Sequence, residues 1–321
     1  MRFHFVVNPS GGSGRALLAW REVQSIMHDK KLKYSVHFPT QTYVVQDIVR
    51  DLTNVSDADE DVYLIIVGGD GTLNVAINGI VNFKKTYIGL IPAGSGNDFV
   101  RSQSIPQSYE AVLDRITDIH RVRSLDVGVL TYNTLFDDQG RPLNLSPKHR
   151  LFNNAIGIGF DADVCVKVLH SRLSEKLSTF HLSKLAYLCA ALPSIFKHRN
   201  FALDVTIDNR DYHFDDVLFA AIMNEPYEGG GFKFCPDASA YDGLLDSCIA
   251  CGIKKRELIH LIPRALKGKH TTSDGVSIER GKEYRIRSSH PLWVQADGEV
   301  EYRSNDITIS VRPQAIQFLG L

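Results

Sequence analysis

The run Val62-Tyr63-Leu64-Ile65-Ile66-Val67, followed by Gly68-Gly69-Asp70-Gly71-Thr72, decides how this chain is read. An unbroken stretch of Val, Ile and Leu has no polar side to offer to water, so it reads as a strand buried on both faces. The glycines end that strand and leave room for a ligand to approach the backbone. A helical pattern follows at once, Leu73 to Val81. A strand that runs through a glycine turn into a helix start presents free N–H groups and the positive end of the helix dipole, which together favour an anion. The same turn carries a carboxylate and a hydroxyl, suited to a hydrated magnesium ion and to a phosphate oxygen.

The pattern occurs three times. Phe3 to Val7 leads into Asn8-Pro9-Ser10-Gly11-Gly12-Ser13-Gly14 and a helical Arg15 to Met27, and Tyr87 to Ile91 leads into Pro92-Ala93-Gly94-Ser95-Gly96-Asn97-Asp98 and Phe99 onward. A single glycine turn is punctuation. Repeated turns after buried strands gather at the carboxyl ends of an open parallel sheet, where ligands bind. Neither GxxxxGK[ST] nor a GxGxxG with a later ribose-binding acid is present, so the P-loop and dinucleotide fingerprints do not apply.

The 321 residues suffice for two domains, and 44% apolar with 23% charged residues is ordinary for a globular protein. A net charge of −1 gives no sign of a nucleic-acid partner. No stretch reaches the roughly 18 apolar residues of a membrane span, and Met1-Arg2-Phe3-His4 enters a strand without a leader, so the expected location is cytoplasmic. The five cysteines are scattered; Cys248 and Cys251 have CxxC spacing but fall on a strand pattern, where i and i+3 face opposite ways, and read as small apolar residues. None of the twelve histidines has a metal or triad spacing.

Residues 1–125 alternate strand and helix, with Tyr34 to Phe38, Val44 to Leu52 and Tyr109 to Ile119 as further elements; this predicts a doubly wound α/β domain. From 126 to 304 short β-type runs dominate: Ser124–Tyr132, Arg150–Gly157, Ala202–Ile207, Val217–Met223, Ser247–Ile253, Glu283–Ile286 and Leu292–Gln295, with Ile307–Val311 beyond. They predict a mainly antiparallel β-sandwich, interrupted by a helical stretch between about Asp161 and Lys197. Asp137 to Pro142 reads as a polar hairpin, and residues from about 305 to 321 are candidates to return to the first domain.

Asn8-Pro9 with Gly12 and Gly14, then Gly68-Gly69-Asp70-Gly71-Thr72-Leu73-Asn74, then Pro92-Ala93-Gly94-Ser95-Gly96-Asn97-Asp98-Phe99, resemble the catalytic domain of the diacylglycerol kinases, and in particular the soluble bacterial lipid kinases of that family. The Gly-Gly-Asp-Gly-Thr turn is shared with NAD kinases and phosphofructokinases; the Pro92 to Phe99 element is more specific. The resemblance extends through Pro236-Asp237-Ala238, Asp242-Gly243-Leu244-Leu245-Asp246 and Asp297-Gly298-Glu299, over almost the whole chain. It implies an NAD kinase/phosphofructokinase-like first domain, ATP and Mg²⁺ as cofactors, and transfer of phosphate to a lipid hydroxyl, foremost diacylglycerol giving phosphatidic acid. It also implies transient work at a membrane surface, and leaves the oligomeric state open, homodimers being common in the family.

Carried over residue by residue, the resemblance assigns ATP contacts to Asn8, Pro9, Ser10, Gly11, Gly12, Thr40, Gly68, Gly69, Asp70, Gly71, Thr72, Leu73, Asn74 and Ser95. Asp70 corresponds to a magnesium-holding aspartate, with Asp98 as a further hard oxygen donor, and Glu299 to the general base; Ser239, Asp242 and Leu244 correspond to a structural magnesium site. Ser95 and Gly11 depart mildly, standing where threonine and serine are common.

Plainer readings stand beside these. Asn97-Asp98 suits a helix N-cap; Asp297-Gly298 and Asp242-Gly243 are also favoured turn dipeptides. Asn224 to Gly231 suits a cleft wall or a surface turn. Leu177 to Phe196, with Lys176, Lys184, Lys197 and Arg199 in or around it, suits a helix covering a sheet, the commoner case, or an amphipathic helix facing a membrane. An NAD kinase-like enzyme and a non-catalytic nucleotide- or lipid-binding protein are the alternative functions.

Overall fold

The apolar runs of the amino-terminal half become the strands of a parallel sheet. The computed structural model describes residues 2–170, 199–254 and 256–321. The chain divides into two compact units, Met1–Asp126 with Gln314–Leu321 and Val127–Pro313. The carboxyl-terminal stretch is thus shared, 305–313 lying in the second unit and 314–321 in the first. The segment Leu177 to Phe196 lies outside the described residues.

In the first unit β1 (Phe3–Val7), β2 (Tyr34–His37), β3 (Val62–Gly68) and β4 (Thr86–Pro92) run parallel in the order β4-β3-β1-β2. The end of β13 (Glu299–Leu319) joins β4, Gln317 opposite Tyr87 and Phe318 opposite Ile88. Leu64, Ile65, Ile66 and Val67 of β3 are all fully buried, as a strand covered on both faces requires. The helices α1 (Arg15–Asp29) and α5 (Tyr109–Thr117) pack on each other, and α2 (Val45–Thr53) packs on α3 (Asp70–Ile77); a short α4 (Asp98–Ser102) follows β4. Register decides what comes next: Val7 lies opposite Val67, and Gly68 opposite Pro92, so three strands end level and their turns emerge side by side.

The second unit is antiparallel. β5 (Val122–Tyr132) pairs with β6 (Lys148–Phe152), and β7 (Ala155–Gly159), β8 (Phe201–Ile207), β9 (Arg210–Met223), β10 (Leu245–Cys251), β11 (Val276–Gly281) and β12 (Glu283–Ala296) follow in the chain. β9 and β12 each change partners along their length. Arg210 to Phe214 of β9 pairs with β8, and Val217 to Met223 with β10, its last five residues also lying against β7; the first part of β12 pairs with β8 and its end with β7. Strands that switch partners in this way build the corners of a sandwich. The core between them is aliphatic and aromatic, with Tyr132, Phe152, Ile158, Tyr284, Ile286 and Ile309 all essentially inaccessible. Two helices complete the described unit, α6 (Phe160–His170) and α7 (Leu258–Leu266). No helix among the described residues is long and apolar enough to cross a membrane. On β10, Cys248 is fully buried, its thiol pushed up to about 12 by burial, and Cys251 is partly exposed.

Several sequence expectations are corrected. Arg150–Gly157 is two strands, broken at Asn153-Asn154; Glu283–Ile286 and Leu292–Gln295 belong to one strand with an irregular middle between Arg287 and Leu292. Asn224 and Glu225 are almost fully buried, so this stretch is no surface turn.

One pair of histidines gives the first unit a pH response. His4 Nδ1 and His37 Nε2 lie 2.9 and 3.1 Å from the same hydroxyl, Ser35 Oγ, on paired strands β1 and β2. Burial lowers the pKa of both below the ordinary histidine value, with Arg2 adding repulsion in each case. A lowered pKa means that the unfolded chain takes up protons first as pH falls. Stability is therefore full above about pH 6.5 and declines below it. Urea denaturation at pH 7.5 and 5.5 should show a lower midpoint at the acid pH, and His37→Gln should shrink that difference.

Candidate active site

The turn after β1 folds back on itself before α1 begins. Gly11 N–H donates to Asn8 O (2.9 Å) and Ser10 Oγ to Asn8 Oδ1 (2.9 Å). Asn8 then reaches sideways, its Nδ2 donating to Thr72 Oγ1 at 3.3 Å in the turn after β3. Gly12 has φ +58°, and a Cβ there would fall 2.0 Å from Ala93 O of the turn after β4. Gly69 and Gly94 touch backbone to backbone: a Cβ on either would lie 2.6 or 2.5 Å from the other's Cα. Ala93 N–H donates to Gly68 O at 2.8 Å. The structure therefore brings Asn8 to Gly12, Gly68 to Thr72 and Ala93 to Gly94 together in one place, at the carboxyl ends of three parallel strands. Leu73 and Asn74 are fully buried within α3, so their side chains face the protein interior. Ser95 is exposed on the third turn. Thr40 is exposed after β2, where its hydroxyl accepts from Tyr43 N–H (3.1 Å); no hydrogen bond joins it to the three turns among the described residues.

Asp70 opens α3 and reaches the third turn. Its Oδ2 accepts from Asp98 N–H at 3.0 Å and its Oδ1 from Phe99 N–H at 3.3 Å. Asn97 makes no side-chain cap, so α4 is capped by Asp70 from another turn. Asn97 itself is left-handed, φ +53°. The Asp98 carboxylate is 3% exposed and meets Arg101 Nη1 at 2.6 Å. Two buried carboxylates thus flank the glycine turns.

In the second unit, Asp297 and Gly298 both have positive φ, +51° and +88°, the geometry of a tight two-residue hairpin turn. The Asp297 carboxylate gathers three backbone donors: Asn153 N–H at 2.8 Å, Asn154 N–H at 2.9 Å and Ala155 N–H at 2.9 Å. Those contacts anchor the turn to the break between β6 and β7, and Glu299, the first residue of β13, follows directly. Asn224 belongs to the same knot, its N–H donating to Asn154 O and its Nδ2 to Asn153 O. Ser239, Asp242 and Leu244 lie on one turn before β10. Asp242 Oδ1 accepts from Leu244 N–H (3.1 Å), while Oδ2 lies 3.8 Å from Arg280, whose guanidinium also binds Asp246 Oδ1 (2.9 Å) and Asp237 O (2.9 Å).

Sequence reading missed a cavity of about 90 Å³ in this unit, with almost wholly apolar walls from α6, β9, β10, α7, β11 and the loop that carries Phe232 and Phe234. Phe160, Leu218, Phe234, Leu258 and Ile262 are among its lining, with Asp161 as its acidic member. Each wall residue alone reads as core, and α7 carries Pro263 inside it, which hides the helix from periodicity arguments.

Residues 2–130 match the family described as the diacylglycerol kinase catalytic domain, and residues 154–320 match the YegS C-terminal NAD kinase beta sandwich-like domain. A Bacillus subtilis protein named "Putative lipid kinase YtlR" is 28% identical over 304 residues, 92% of each chain. A diacylglycerol kinase of Mycobacterium tuberculosis is 28% identical over 257 residues, covering 80% of this chain and 76% of that one. A crystal structure of a diacylglycerol kinase from Bacillus anthracis shares the fold, with a TM-score of 0.68 at 16% identity over 100% of this chain and 97% of the other.

Two acids here hold backbone donors, and each can be tested for it. Asp70→Ala strands two buried N–H groups and should cost about 1–3 kcal/mol in urea denaturation; Asp70→Asn, which keeps one acceptor oxygen, should cost less. Asp297→Ala should destabilise by a similar or larger amount, and wild-type stability of either alanine variant would remove that acid from its structural role.

Proposed function

Because the chain belongs to the diacylglycerol kinase-like lipid kinases, joining that catalytic domain to a YegS-type sandwich domain, we propose that it transfers the terminal phosphoryl group of ATP to the hydroxyl of diacylglycerol, giving phosphatidic acid. The observation that carries this reading is the meeting of the glycine turns at Gly12, Gly69 and Gly94. Phosphoryl transfer asks little covalent chemistry of a protein; it asks for held phosphates, a divalent ion and an aligned nucleophile. Backbone N–H groups of turns stripped of side chains, with the starts of α1 and α3 behind two of them, suit the phosphates. Asn8, Pro9, Ser10, Gly11, Gly68, Gly71, Thr72 and Ser95 would line that cradle, with Thr40 on the neighbouring stretch after β2, the strand paired to β1.

The buried acids beside such a cradle support a divalent cation. Phosphate oxygens next to Asp70 and Asp98 would repel them, and one arginine on Asp98 offsets a single charge. Both Asp70 oxygens already accept an N–H bond, so the acid suits a water-mediated hold on the ion better than direct ligation. Magnesium, when bound, would neutralise charge building on the transferred group. The turn of Ser239, Asp242 and Leu244 fits a second ion less well, because Arg280 already supplies positive charge within 4 Å of its one carboxylate.

Glu299 follows the anchored Asp297-Gly298 turn and is partly exposed, with no hydrogen bond or ion pair to its side chain among the described residues. An uncommitted carboxylate on a fixed turn suits a base that accepts the acceptor's proton. The apolar cavity of the same unit suits acyl chains and offers little to the polar rings and ribose of NAD. Work at a membrane surface follows from the substrate.

The test is a screen with radiolabelled ATP and magnesium against a panel of lipid alcohols, NAD included. Diacylglycerol should be labelled and NAD should not; label in NAD alone would overturn the lipid reading. Glu299→Gln should lower kcat about 10²–10⁴-fold with little change in KM for ATP. Asp70→Asn, chosen because it costs less stability than Asp70→Ala, should lower kcat and raise the magnesium requirement.

A further inference from the structure

Gln295 is 1% exposed on β12, opposite Gly157 of β7. Its Oε1 accepts from Gly298 N–H at 2.7 Å, which sets the amide the right way round: oxygen toward the hairpin turn, nitrogen toward the interior. The nitrogen donates to Asp161 Oδ2 at 2.7 Å and to Glu228 Oε1. Asp161 lines the apolar cavity, and so does Gly229, the neighbour of Glu228. Burial raises the pKa of Asp161, as expected of an acid facing apolar walls. Space for the contact is built in: a Cβ on Gly157 would fall 1.7 Å from Asp161 Oδ2 and 2.5 Å from Gln295 Nε2. One buried amide thus spans from a cavity wall to the turn that Glu299 follows.

We propose that Gln295 is a positioning residue, a strut through which filling of the apolar cavity sets the placement of Glu299. The inference rests on the lipid kinase reading above. Hydrogen bonds in a low-dielectric interior are stiff, and the Gln295 amide is engaged at both ends, so a displacement at one end is felt at the other. A chain packed against Asp161 holds that carboxyl on Gln295, and Gln295 holds the Gly298 amide. With the cavity unfilled, Asp161 keeps its bond to Gln295 but has no chain packed against it, and the turn loses part of its support. A lipid long enough to fill the cavity should then be turned over faster than a short one, an effect on kcat beyond any effect on KM. Catalytic geometry tolerates little displacement, so the difference can be large.

The experiment measures kcat and KM of the full chain with magnesium-ATP and short- or long-chain diacylglycerols in mixed micelles, for wild type, Gln295→Met, Asp161→Asn and Asp161→Ala. The wild type should show a higher kcat with the long-chain lipid. Gln295→Met, near in volume but without the amide, should lose about 10²-fold in kcat on the long-chain lipid, fall to the short-chain level, and keep its KM for ATP. Asp161→Asn should retain chain-length dependence, since its amide oxygen still accepts from Gln295, and Asp161→Ala should lose it. If Gln295→Met fails to fold by circular dichroism, the two Asp161 variants decide the matter. A wild type indifferent to chain length, or Asp161→Asn and Asp161→Ala behaving alike, overturns the coupling. Absence of turnover of any lipid by the wild type overturns the kinase reading itself, and the coupling with it.

Discussion

The carboxylate of Asp70, bonded to the amides of Asp98 and Phe99, fastens two glycine turns to each other, and the geometry of the first unit depends on it. The parallel register makes the strand ends level; the absence of side chains at Gly69 and Gly94 lets the backbones meet. The Ala93 N–H bond to Gly68 O ties the start of the third turn to the second, but leaves its far end, at Asp98 and Phe99, to be held. A buried carboxylate holds that end, because leaving buried amides without an acceptor costs more than any alternative path of the loop recovers. Asp70, proposed above to hold magnesium through water, is therefore first of all a structural clasp.

The clasp has an electrostatic side. Asp70 and Asp98 are both buried, the Asp98 amide bonded to the Asp70 carboxylate, and Arg101 pairs with the Asp98 carboxylate. The acid-rich turn of the second unit is managed differently: Arg280 reaches Asp237 O, Asp246 and the neighbourhood of Asp242 at once, so a side chain already does there much of what an ion would do.

Much of this was legible in the sequence, and the reasons are local. The largely apolar runs at 3–7, 62–67 and 87–91 read as buried strands, and the glycines that follow each run lie close in sequence to the strand they end. The two-residue turn at Asp297-Gly298 is likewise a dipeptide property. What escaped was non-local. The break at Asn153-Asn154 exists because Asp297, far along the chain, collects the amides there. Gln295 and Asp161 are 134 positions apart, and nothing in either neighbourhood announces the other. The capping of α4 was looked for in Asn97, its own neighbour, and is supplied from the β3 turn. The cavity escaped because its walls come from five elements and the loops between them, each of which reads as ordinary core on its own.

The strand β13 has a further consequence. Its far end, Gln317 and Phe318, supplies the neighbour of β4, and Phe318 packs its ring 5.0 Å from that of Phe99 at the start of α4. The first unit is therefore discontinuous, and the whole of the second is inserted before its final strand. On the ribosome, a domain usually consolidates as soon as its residues have emerged. Here the nucleotide-type unit must wait with an open sheet edge while nearly two hundred intervening residues are made, which leaves β4 a standing invitation to wrong partners and makes the sandwich the part able to mature first.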